Sequence, residues 1–191
     1  MVEQRSGDNL QLFWNRFLEG DTEAFSLIYT RNIRNLLNYG YKLCREKELV
    51  HDAVQEVFTD LFLKKEKNHT PVHDVKSYLF VSLKHSVMKK VALHRRFEAP
   101  PEGEEPENED FDCRFGVDLR GDDEGISEEK HLLLQKAIRE LTCREKEAIF
   151  LRFEEEMEYP QIAAIMGITV ESCRKMVYRA VLALRKIILH D

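Results

Sequence analysis

Apolar side chains recur along most of the chain at intervals of three and four residues, the period of a helix with one buried face. Leu10, Phe13, Trp14, Phe17 and Leu18 begin the pattern. Gly20 then stops the first helix, and Asp21 can cap a second that buries Phe25, Ile28 and Tyr29 and continues through Ile33, Leu36, Leu37 and Leu43. Residues 48–63, ELVHDAVQEVFTDLFL, are sharply two-sided. Val50, Val54, Val57, Phe58 and Leu61 share one face, while Asp52, Gln55, Glu56 and Thr59, with Leu63, share the other. After a turn containing Pro71, Asp74 can cap a long helix over residues 75–97, with Leu79, Leu83, Val87 and Val91 turned inward. The pattern predicts an all-α fold.

The periodicity resumes after residue 127, where Ser127, Glu128 and Glu129 open a helix through Leu132, Leu133, Ala137 and Ile138. Thr142 and Glu145 have capping-box spacing, which starts a further helix at Cys143. Pro160 lacks a backbone donor and suits the first turn of the next helix, running through Ile162, Ala163 and Met166. Gly167 permits a sharp turn and Thr169 can cap the last helix, so the final pair has the interval of a helix-turn-helix. On that last helix Val170, Cys173, Val177, Val181 and Leu184 form the inward stripe, with Ser172, Lys175, Arg179 and Lys186 opposite.

Between the two helical parts the pattern disappears. Residues 98–129 hold fourteen acidic residues and two arginines, a net charge of −12, so a chain whose total is −6 carries +6 elsewhere. Rich in Pro, Gly and Glu, residues 98–126 bury too little apolar surface to offset ordering entropy and are expected to be an extended linker. Phe111, Phe115, Val117 and Leu119 form a small apolar island within it. Two domains follow, residues 8–97 and 127–191, and the flanks outside residues 98–129 are together moderately basic.

Charge and composition also exclude functions. The four cysteines, Cys44, Cys113, Cys143 and Cys173, show no metal or redox spacing and read as thiols that pack or lie in the linker. The seven histidines are dispersed, and neither a phosphate loop nor a nucleophile with a nearby base is evident. A non-enzyme without cofactor or metal is therefore expected. The chain shows neither a membrane-spanning apolar stretch nor a signal peptide, which points to the cytoplasm.

Two surfaces suit nucleic acid. A helix carrying polar N-terminal side chains and a basic row fits the major groove. On the 75–97 helix Tyr78, Ser82, His85, Lys89 and Arg96 share a face flanked by Lys84, Lys90 and Arg95, where rings could stack on bases and cations hold phosphates. A solvated face on an ordinary bundle has the same composition in each case. The acidic face of residues 48–63 suits either solvent or a basic partner helix.

Taken in order, DAVQEVFTDLF, VKSYLFVSLKHSVMKKVALHRR, LTCREKEAIFLRF and YPQIAAIMGITVESCRKMVYRAVLALR resemble regions 2 and 4 of the extracytoplasmic-function class of bacterial RNA polymerase sigma-70 factors. The resemblance covers nearly the whole chain. It implies a non-catalytic initiation factor whose partners are core RNA polymerase, through the coiled coil of its largest subunit and its flap, promoter DNA, and an anti-sigma factor. No small-molecule substrate and no membrane insertion are implied. Asp52, Gln55, Glu56 and Thr59 would dock on polymerase. Tyr78, Ser82, Lys84, His85, Lys89, Arg95 and Arg96 would open and hold the minus-ten element. Glu171, Ser172, Arg174, Lys175, Tyr178 and Arg179 would read the minus-thirty-five element. The chain departs from the family at His85, where Asn is frequent, and at Met176 and Val181, where basic residues are frequent. LTCREKEAI also resembles the start of a LuxR-type output domain, which would make the chain a stand-alone dimeric regulator; a helical interaction protein with acidic partners is the third reading.

Overall fold

In the computed structural model, residues 6–67, 72–97 and 128–190 are described, with side chains described for residues 9–64, 72–94 and 132–186. Most of those residues are helical and none of them is in a strand. The chain divides into two units, residues 1–110 and 111–191. The acidic segment 98–126, with its apolar island, lies outside the described residues.

The first unit contains α1 (Ser6–Leu18), α2 (Thr22–Leu43), α3 (Lys47–Lys67) and α4 (Val75–Phe97). Gly20, at φ 111°, turns the chain between α1 and α2. Asp21 then caps α2, accepting from the amides of Glu23 at 3.0 Å and Ala24 at 3.2 Å. Asp74 does the same for α4 through the Ser77 amide at 3.1 Å. Trp14, Phe17, Ile28, Leu36, Tyr39, Val54, Phe58, Leu61, Leu79, Phe80 and Leu83 fill the centre. Each large apolar side chain so buried contributes about 1.5–3 kcal/mol, against about 1 kcal/mol at most for an exposed ion pair such as Arg16 with Asp21, so packing decides this fold. Gly40 lets α2 approach α3, because a Cβ there would overlap Cγ1 of Val50.

Several positions of the periodic stripe, exposed Leu18 and half-buried Ile33 and Leu37 among them, are less covered than the period predicts. Phe25 and Val91 are half-buried and Tyr29 is exposed. Tyr29 lays its ring against Phe58, with centroids 4.7 Å apart, leaving its hydroxyl end to solvent.

The second unit contains α5 (Glu128–Arg139), α6 (Cys143–Ile149), a π-helical turn (Phe150–Glu154), α7 (Tyr159–Met166) and α8 (Val170–His190). The Thr142 capping box is complete: its hydroxyl accepts from the Glu145 amide at 3.3 Å, and its own amide donates to the Glu145 carboxylate at 3.0 Å. The π turn, which the helical period did not predict, is closed by the Glu155 amide on the Phe150 carbonyl at 3.1 Å. Glu156 follows in the left-handed region, at φ 53°. Gly167 is also left-handed, at φ 64°, and the Ile168 amide donates to the Ala163 carbonyl at 3.0 Å, closing α7 in the manner of a Schellman motif.

Along α8 the buried stripe is Cys173, Val177 and Ala180, packed by α5, α6 and α7. Val181, expected inward, is 39% exposed because it lies about 100° round the helix from Ala180. Cys44 and Cys173 are buried outside any disulfide, as the thiol reading expects, but Cys143 is disulfide-bonded. No helix among the described residues is long and apolar enough to cross a membrane.

Candidate nucleic-acid and polymerase interfaces

Thr169 sets the orientation of the first turn of α8 by accepting from the Ser172 amide at 3.1 Å and donating to the Ser172 hydroxyl at 2.9 Å. Beyond that cap, Glu171, Ser172, Arg174, Lys175, Tyr178 and Arg179 are all exposed, because the buried stripe takes Cys173, Val177 and Ala180. The predicted reading face is therefore outside the core. Lys175 is ion-paired one turn back with Glu171 at 2.6 Å. Burial raises the Cys173 thiol above its ordinary pKa, with the Arg152 charge opposing, so the inward side of α8 offers packing rather than a reactive thiolate.

Arg152 and Tyr159 belong to the same surface and were missed by sequence reasoning. Tyr159 opens α7, and two guanidinium groups lie near its ring, Arg152 at 5.0 Å and Arg174 at 5.6 Å from the centroid. Arg152 donates to the Met157 carbonyl at 2.7 Å and lies 3.8 Å from the Glu158 carboxylate. The π turn thus brings a cation from before the helix-turn-helix to the start of α7. A usable signal was present: an arginine shortly before an aromatic at the first position of the Pro-containing helix. Cation and ring together form a cationic patch adjoining Arg174.

In the first unit, His85 and Lys89 are exposed on α4, and Tyr78, Ser82 and Lys84 are half-buried on or beside the same face. The side chains of Arg95 and Arg96 lie outside those described. Lys64, from the end of α3, stands over the Tyr78 ring at 4.2 Å and adds a cation that the single-helix pattern of α4 could not reveal. Asp52, Gln55, Glu56 and Thr59 are exposed on α3, with Leu63 beside them. Glu56 is also tied to α4: its Oε2 accepts from Ser86 at 2.7 Å and lies 3.1 Å from the Lys90 ammonium. Ser86, then Lys90, hold its carboxyl below the ordinary glutamate range. Among the described residues no group of histidine, cysteine and carboxylate side chains could hold a metal ion.

The sequence profile of the family described as Sigma-70, region 4 matches residues 131–184, which span α6, the π turn, α7 and most of α5 and α8. The match lies wholly within the second unit. The chain's fold is similar to that of the sigma factor RpoE of Bartonella quintana, solved with the anti-sigma factor NepR, at 17% identity and a TM-score of 0.56, covering 89% of this chain and 99% of RpoE. It is similar also to CnrH, solved with the cytosolic domain of CnrY, at 15% identity and a TM-score of 0.56, covering 96% of this chain and 99% of CnrH. No curated protein sequence matches it. The α8 face, Arg152 and Tyr159 all fall within the region 4 match, whereas α3 and α4 lie outside it.

Proposed function

We propose that this protein is a sigma factor of the extracytoplasmic-function class, and that it acts without chemistry of its own by placing core RNA polymerase on promoters. The α3 face of Asp52, Gln55, Glu56 and Thr59 docks on the coiled coil of the largest subunit, and the second unit engages the flap. The α4 surface, from Tyr78 and Lys64 through Ser82, His85 and Lys89 towards Arg95 and Arg96, holds the opened minus-ten element. The α8 face, with Arg152 and Tyr159 beside it, reads the minus-thirty-five duplex. Each unit alone presents few phosphate contacts, so promoter binding by the free factor is weak and salt-sensitive, and polymerase gains specificity by engaging both at once. The anti-sigma factor NepR accompanies RpoE, and we extend an anti-sigma partner to this chain on that likeness.

The observation that supports this reading best is the exposed Ser172, Lys175 and Arg179 row on a capped helix-turn-helix within the region 4 match. Arg179→Glu places a carboxylate against phosphates or base edges and should abolish minus-thirty-five dependence while core polymerase still binds. Gln55→Arg should abolish polymerase binding and leave duplex binding by α8 intact. Loss of polymerase binding in Arg179→Glu would overturn the assignment of α8.

A further inference from the structure

Of the four α3 side chains placed on the polymerase face, Glu56 is also bonded to the promoter helix. Both of its described contacts fall on one atom, Oε2, which takes the Ser86 hydroxyl at 2.7 Å and the Lys90 ammonium at 3.1 Å. The Glu56 side chain is nevertheless 43% exposed, so a cation approaching α3 can reach the same carboxylate. Lys90 is 28% exposed and flanks the α4 surface that carries His85 and Lys89. An ammonium held by a carboxylate is a poor phosphate ligand, because the phosphate must first displace a charge already in contact.

We propose that Glu56 is a latch: in the free factor it holds Lys90 away from nucleic acid, and a basic group of polymerase that takes the Glu56 carboxylate releases Lys90 to a promoter phosphate. This rests on the reading of α3 as the polymerase face. The latch makes one α4 cation available only after docking, so polymerase binding and strand binding are coupled through a single carboxylate. The coupling is reciprocal: a phosphate on Lys90 leaves Glu56 more available to polymerase.

The test is a double-mutant cycle on the full chain, read by fluorescence anisotropy with a labelled single-stranded oligodeoxynucleotide of mixed sequence at low salt. E56Q should tighten binding about two- to fivefold, the scale of an exposed ion pair. K90Q should change little in the wild-type background and remove the whole gain in the E56Q background, with a salt slope lower by about one. D52N removes the same charge from α3 without touching α4 and should give a smaller gain. Equal gains from D52N and E56Q, or an equal cost of K90Q in both backgrounds, would overturn the latch and leave only bulk charge. Should E56Q fail to fold, E56D, which withdraws the carboxylate by one methylene, carries the same cycle. With core polymerase added, K90Q should weaken strand binding of the wild-type factor. Absence of any complex at that stage refutes the polymerase reading itself, while the cycle on the free factor still decides whether Glu56 restrains Lys90.

Discussion

Thr142 sits where two helices of the second unit meet, and its hydroxyl and amide are both spent on Glu145. Thr142→Ala should cost about 1 kcal/mol, measured by urea unfolding followed by circular dichroism, and Thr142→Ser should restore most of it. Gly40 is a harder constraint, since any side chain there meets Val50. Gly40→Ala should destabilise by about 1–3 kcal/mol, and adding Val50→Ala should cost less than the sum of the two changes, because the methyl in the way is gone. Asp21 gives a pH signature. The Arg16 hydrogen bond, followed by the Ala24 amide, holds its carboxyl below the ordinary range. A carboxyl whose pKa falls on folding adds stability above its unfolded pKa, and that contribution is lost as pH falls through the lowered folded value. Asp21→Asn keeps a capping oxygen without the charge, so its Tm deficit at neutral pH should close below about pH 4. A deficit unchanged down to pH 3 would rule out the charge as its cause.

At the level of elements, the second unit owes the proposed DNA-facing surface to a short π turn. The turn at Phe150–Glu154 places Arg152 beside Tyr159, and Tyr159 lies beside Arg174 of α8. Arg152→Gln should weaken binding of duplex containing the minus-thirty-five element and lower the salt slope by about one, without altering which base sequence is preferred. A change in sequence preference would mean that Arg152 reaches a base edge. The helices themselves were legible in the sequence because each is bounded by a residue with one physical job: Asp21, Asp74, Thr142, Pro160 and Gly167 stand where the structure ends or begins a helix. The π turn was not, since an i to i+5 bond leaves no period in side-chain polarity. Lys64 over Tyr78 and Glu56 on Lys90 were also invisible, because each joins two helices whose faces had been read one at a time. Val181 shows the opposite failure, a β-branched residue counted as core at the edge of a stripe whose centre belongs to Ala180.

For the molecule as a whole, the informative quantity is the separation of charge between a strap of −12 and the remaining +6. On the proposed reading, polymerase presents the two basic surfaces together, so that promoter specificity comes from their joint engagement. The measurement that tests this most directly is transcription in vitro from genomic fragments with purified core polymerase, with and without the chain, mapping the 5′ ends of the products. The account predicts chain-dependent start sites that share two short elements at a fixed spacing, and their loss with Gln55→Arg. Tight dimeric binding to duplex DNA without any chain-dependent start would contradict it.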